Sequence, residues 1–142
     1  MTERWDLARF VKAQAGVYSS ALEELRTGRK RTHWMWFVFP QIVGLGRSEN
    51  ARIYAIHDPG EASAFLAHEL LGERLRECTD AMLQWTGERE ASDILGPVDA
   101  LKFRSSMTLF ETVSPSDERF AAALDGFFGG ERDRATLTRL AG

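Results

Sequence analysis

A chain of 142 residues with 44% hydrophobic and 27% charged side chains has the size and balance of one globular domain, able to bury roughly 70% of its unfolded surface. That composition excludes a disordered chain, and the net charge of −3 argues against non-specific binding to nucleic acid. The longest uncharged apolar run, Trp34 to Gly46, has 13 residues and contains Pro40 and Gln41, too short and too polar to span a bilayer.

In chain order, Met1-Thr2-Glu3-Arg4-Trp5-Asp6 lacks the basic-then-apolar layout of a secretory signal, so a cytoplasmic protein is expected. Asp6 is placed to cap a helix with an apolar face of Leu7, Phe10 and Val11 that ends at Gly16. Tyr18, Leu22 and Leu25 then follow helical spacing, and Gly28 is placed to stop that helix in the left-handed conformation. After Arg29-Lys30-Arg31, Thr32 is a cap for a short helix through His33 to Phe39, halted at Pro40. Periodicity does not separate this helix from a buried strand, because every residue from Trp34 to Phe39 is apolar; the helical neighbours favour helix.

Ser48 is an N-cap for residues 49–56, and Asp58-Pro59 combines a cap with proline at the first helical position. Leu71, Leu75, Cys78, Met82 and Trp85 step by 4, 3, 4 and 3 residues, which puts all five on one helix face and closes at Gly87. Ser92 is placed to cap a short turn, and Gly96-Pro97 opens a longer helix toward Val113. Ser114-Pro115-Ser116 and Gly129-Gly130 bracket a helix carrying Phe120, Leu124, Phe127 and Phe128, and Asp133 caps a last one. No hairpin turn signal occurs. The expected architecture is all-α, a single compact domain of about seven to nine helices over residues 1–142.

Three places carry more chemistry than a core requires. In Arg29 to Gln41, three cations and His33 lead into Trp34, Trp36, Phe37 and Phe39; cations hold phosphate or carboxylate, and indole faces stack on flat rings. On a helix Trp34 and Trp36, two residues apart, point to different sides, so one of them is free to line a cleft. The bland reading makes the aromatics core anchors and Arg29 to Arg31 a solvated loop. On the helix after Pro97, Lys102, Ser105 and Ser106 share a face, which suits phosphate or ribose; equally, serines permit close helix packing while Lys102 reaches water. Asp99, three residues earlier, is within reach of Lys102. Gly44-Leu45-Gly46-Arg47-Ser48 is a small phosphate cradle or a tight inter-helix turn, without the Walker lysine. The single cysteine, Cys78, offers no disulfide or cysteine cage and reads as a buried thiol. His33, His57 and His68 do not fall at metal-ligand spacing, and neither metal nor cofactor is expected.

The stretch Arg29-Lys30-Arg31-Thr32-His33-Trp34-Met35-Trp36-Phe37-Val38-Phe39-Pro40-Gln41, with Gly44-Leu45-Gly46, Ser48, Tyr54-Ala55-Ile56, Leu71-Gly72-Glu73-Arg74-Leu75, Asp99, Lys102, Ser105-Ser106 and Thr108-Leu109-Phe110, resembles a bacterial family of small helical proteins of unknown function, sometimes mislabelled "calpastatin". The resemblance spans nearly the whole chain. It implies an all-helical single domain and brings no activity. Asp99 to Phe110 also resembles, through Lys102-Phe103, a helical family associated with NAD and ADP-ribose metabolism. That second resemblance implies hydrolysis at an N-glycosidic carbon, for which Asp99 or Glu111 would be the base.

The reading that joins these features is a cleft between the Arg29 to Gln41 segment and the helix carrying Lys102, binding a small phosphate-bearing ligand such as a nucleotide or an ADP-ribose-like molecule. Lys30, Arg31 and Lys102 are assigned to phosphate, Trp34 or Trp36 to stacking, and His33, Gln41, Ser105 and Ser106 to hydrogen bonds. The alternatives are a protein-protein interaction module built on a tryptophan-rich surface and a structural homo-oligomer.

Overall fold

The computed structural model describes residues 5–142, and ten helices form among them: α1 (Ala8–Gln14), α2 (Tyr18–Thr27), α3 (Met35–Val38), α4 (Glu49–Ile53), α5 (Pro59–Ala67), α6 (Leu71–Leu83), α7 (Ala91–Leu95), α8 (Pro97–Val113), α9 (Glu118–Phe128) and α10 (Arg134–Ala141). The chain is all-α, with one helix more than the seven to nine expected. Three of the ten, α3, α4 and α7, are only 4 or 5 residues long, a length at which periodicity gives little signal. The apolar run is helical over Met35–Val38, and no strand forms among the described residues. A lone parallel bridge pairs Ile42 with Ile56, with Val43 N–H donating to the Ile56 carbonyl at 2.8 Å and Ile56 N–H to the Gln41 carbonyl at 2.9 Å.

The caps explain most of the boundaries. Ser48 accepts from the Ala51 amide, Asp58 from Glu61 and Asp133 from Thr136, each satisfying an amide that the first helical turn leaves orphaned. Gly28 ends α2 at φ 81°. Three expected caps are corrected. Leu7 precedes α1 with no side-chain cap, so Asp6 does not serve there. Thr32 gives its hydroxyl to Glu24 at 2.6 Å, and Trp34 stands at the start of α3 instead. Glu90, not Ser92, precedes α7, and its amide donates to Asp93 at 3.0 Å.

Helix α8 is the axis of the fold: it packs against α3, α5, α7, α9 and α10, while α6 packs against α2, α3, α5 and α9. Ala100, Phe103, Met107 and Phe110 form the buried stripe of α8. Phe103 meets Phe39 edge-on at 4.9 Å between ring centroids, and Phe110 lies 5.6 Å from Phe65 and 5.9 Å from Phe120, separations at which aromatic quadrupoles attract. The stripe Leu71, Leu75, Cys78 and Met82 is buried along α6; Trp85 follows just after the helix and donates its indole N–H to the Leu25 carbonyl at 2.9 Å. Burial pushes the Cys78 thiol up to about 12, so it stays protonated and inert at neutral pH. Gly72 lets α6 start against the end of α5: a Cβ there would lie 2.0 Å from the Leu66 carbonyl oxygen. No described helix is long and apolar enough to cross a membrane.

Candidate functional site

The basic loop after α2 is organised by a carboxylate. Glu24 sits among the buried Ala21, Leu22 and Leu25 of α2, and its Oε1 accepts from the Arg31 amide at 2.7 Å, the Thr32 amide at 3.0 Å and the Trp34 indole N–H at 3.0 Å. Oε2 takes the Thr32 hydroxyl. Burial alone would raise this carboxyl, but the Thr32 hydroxyl, the two amides and the indole together hold it down at about 2, because all four favour the ionised form. Lys30 is fixed on the other side of the loop by its amide, 2.7 Å from the Ile94 carbonyl in α7.

So anchored, the loop meets α8. Lys30 Nζ lies 3.0 Å from Asp99 Oδ2, and Lys102 Nζ lies 3.3 Å from Oδ1 of the same carboxylate. Each ammonium also sits over an indole: Lys30 is 5.2 Å from the Trp34 ring centroid, and Lys102 is 5.1 Å from that of Trp36, within cation-π range. Two lysines from distant stretches of sequence therefore share one carboxylate, leaving a surplus positive charge. Lys30 is nearly buried, with 8% of its side chain exposed, whereas Lys102 keeps 24%; Lys102 is the accessible member of the pair.

Lys102 opens into a groove of about 320 Å³ bounded by the 41–46 loop, the first turns of α8 and the start of α10. Gln41, Leu45 and Gly46 form one wall, and Val98, Leu101, Arg104 and Ser105 the other. Val98 and Leu101 are 66% and 57% exposed, which is unusual for large aliphatic side chains one helical turn apart and makes the groove apolar at its rim. The far end is ionic: Arg104 lies 3.6 Å from Asp133 and 3.3 Å from Glu131. Asp133 is held there because its amide donates to the Thr108 hydroxyl of α8 at 3.0 Å while its carboxylate caps α10.

Of the residues singled out from sequence, Gln41, Lys102 and Ser105 line this groove, and Lys30 and Trp36 adjoin it through Asp99 and Lys102. The Ser105 hydroxyl is turned back to the Leu101 carbonyl at 3.1 Å. Ser106 is fully buried and its hydroxyl finds no hydrogen-bond partner; it faces the interior, where its small size lets α8 pack closely. Trp34 has 0% exposure and so offers no ring face to a ligand, whereas Trp36 is half-buried. Arg31 lines a different hollow with Ser20, Glu23 and Thr27, and His33 stands exposed on the loop. Asp99 is clamped by its two lysines. Glu111 lies about three turns farther along α8 and is gripped by Arg132 at 2.9 and 2.6 Å, so neither carboxylate stands ready as a base in the groove. In the glycine turn, Leu45 and Gly46 contribute to the wall, but α4 behind them has only five residues.

Arg104 and Glu24 do not stand out as site residues in the sequence, and Asp133 reads there only as a helix cap. Glu24 was detectable as a carboxylate on the apolar face of α2, between Ala21 and Leu25; Arg104 and Asp133 belong to helices whose meeting only the tertiary structure reveals. No cluster of three or more His, Cys, Asp or Glu side chains suited to a metal occurs among the described residues.

No curated protein matches the chain. Among solved structures, it is similar to the conserved hypothetical protein Rv1873 from Mycobacterium tuberculosis, with 51% identity, 99% of each chain covered and a TM-score of 0.95. The family described as protein of unknown function DUF1810 matches residues 4–140. The chain, from its basic-aromatic loop to its last helix, belongs to the DUF1810 family.

Proposed function

We propose that the groove between the 41–46 loop and α8 binds a small phosphate-bearing ligand, a nucleotide or an ADP-ribose-like molecule. The observation that carries this reading is the shared Asp99: with Lys30 already paired to it, Lys102 can turn its ammonium to an incoming phosphate without leaving this half-buried carboxylate unpaired. Arg104 supplies a planar donor at the same wall, suited to phosphate oxygens. Gln41 offers an amide for ribose or base, and Val98, Leu101 and Leu45 give an apolar seat for a flat ring. The proposal is for binding. Hydrolysis of an N-glycosidic bond lacks an available carboxylate at either Asp99 or Glu111.

The docking alternative requires an exposed indole surface, and it is the weaker reading because Trp34 is sealed and Trp36 lies beside Lys102. Thermal melts with ATP, AMP, ADP-ribose and inorganic phosphate test the proposal. A ligand at a hundredfold excess over its Kd is expected to stabilise the protein by about 2.7 kcal/mol, and Lys102→Ala is expected to abolish the shift. No shift with any of the four, or an undiminished shift in Lys102→Ala, would remove the groove from consideration.

A further inference from the structure

A second constellation lies away from the groove, where α1 meets the start of α5. Glu61 has 0% exposure, yet it occupies the first turn of α5 and reaches back along the chain: Oε1 accepts from the His57 amide at 2.8 Å and contacts His57 Nδ1 at 2.7 Å. Oε2 is paired with Arg9 at 2.9 Å. Arg9 also donates to the Ile53, Asp6 and Ala55 carbonyls, which locks α1 onto this corner. A carboxylate paired in this way only accepts, so the shared proton belongs to Nδ1, and Nε2 is left with the lone pair. The His57 side chain is 62% exposed and lines a hollow of about 450 Å³ with Trp5, Asp6, Arg9 and Ile53.

The other histidines differ. His68 Nδ1 accepts from the Leu70 and Leu71 amides at 3.1 and 3.2 Å, so its neutral ring carries the proton on Nε2 and presents no lone pair outward. His33 stands exposed on its loop, and among the described residues no carboxylate contact with its ring fixes a tautomer. His57 alone of the three combines a buried carboxylate on one nitrogen with an accessible second nitrogen.

We propose that His57, oriented by Glu61, is the nucleophile of a second site that takes small activated esters with an aryl or apolar portion. The walls fit that class. Trp5 and Ile53 offer apolar surface, the charges of Arg9 and Glu61 are spent on each other, and the Asp6 carboxylate in the same lining repels anions, so an uncharged ester suits the hollow better than an anionic one. Nε2 attacks the ester carbonyl carbon, a C–N bond forms, and the C–O bond breaks with its electron pair leaving on the aryl oxygen. The acyl-imidazolium keeps its Nδ1 proton against Glu61, which stabilises the new positive charge. Water then adds to the acyl carbon, the C–N bond breaks with its pair returning to Nε2, the carboxylic acid departs, and one water proton passes to solvent.

The probe is p-nitrophenyl acetate, followed by release of p-nitrophenolate, on the wild-type chain and on His57→Gln, His33→Gln and His68→Gln. The expected result is at least a tenfold fall in His57→Gln, to the rate of an equal concentration of free imidazole or below, with His33→Gln and His68→Gln unchanged. A wild-type rate no greater than that of free imidazole, or a fall in His33→Gln or His68→Gln as large as that in His57→Gln, would overturn the proposal. Should His57→Gln fail to fold, brief treatment of the wild-type chain with diethyl pyrocarbonate and peptide mass mapping gives an independent reading. Modification of His57 several times faster than His33 and His68 supports the assignment, and equal or slower modification refutes it.

Discussion

At Glu24, four donors converge on one buried carboxylate, and the geometry makes a pH-dependent contribution to stability that can be worked out in sign. The carboxyl is depressed from 4.5 to about 2 on folding. The unfolded chain therefore binds its proton at higher pH than the folded one, so this contribution is complete above about 4.5 and drains away as the pH falls toward about 2. Glu24→Gln would keep one oxygen for the three N–H donors but set an NH₂ against the Thr32 hydroxyl and lose the charge that strengthens all four bonds, and is expected to cost about 1 to 3 kcal/mol at neutral pH. Urea titrations of both proteins across this acid range check the point: the stability difference should shrink with acidification, and a difference independent of pH would mean that the clasp is not ionic. The same residue shows what the sequence leaves hidden. Lys30, Trp36 and Lys102 were identifiable by type and spacing, but the loop that brings Lys30 to them is set by a glutamate whose three partner residues, Arg31, Thr32 and Trp34, come after the helix that carries it.

Among the elements, α6 depends on a close approach that no periodicity announces. Gly72 is the second residue of the helix, and the Leu66 carbonyl occupies the place of a side chain. Because that neighbour is backbone, it has little room to yield, and Gly72→Ala is expected to destabilise by about 1 to 3 kcal/mol despite alanine's better helix propensity. A thermal or denaturant melt of the variant decides; stability equal to wild type would show that α5 and α6 shift apart freely. The long helices were legible because proline, glycine and acidic caps punctuate strong 3.6-residue patterns: Asp58-Pro59, Gly96-Pro97 and Asp133 lie where helices begin. The short ones were legible in part: Ser48 caps α4 as expected, and α3 falls inside the apolar run. Asp6 and Thr32 are good capping residues, but Asp6 lies one residue too early and Thr32 is recruited by Glu24, so tertiary contacts override local preference. Ser105 and Ser106 show the same limit on the functional side. Their shared helix face was correct as geometry, yet α8 is surrounded on so many sides that one hydroxyl bonds its own backbone and the other faces the interior.

Across the whole molecule, α8 contributes both the aromatic core and one wall of the proposed binding groove, so the site is built on the most enclosed element of the fold. Its opposite wall is of another kind. The 41–46 segment leaves α3, runs through an exposed glycine turn and α4, and returns at Ile56, where two backbone hydrogen bonds tie the ends together. That arrangement is a lasso with a two-bond knot, its far side held as well by Arg9 at the Ile53 and Ala55 carbonyls. The wall carrying Leu45 and Gly46 can then swing only as far as its noose permits, and loosening it requires both ties to break together. Deuterium uptake should register this as matched exchange rates for the Val43 and Ile56 amides, slower than those of the loop between them; independent rates would mean that each end of the noose slips on its own.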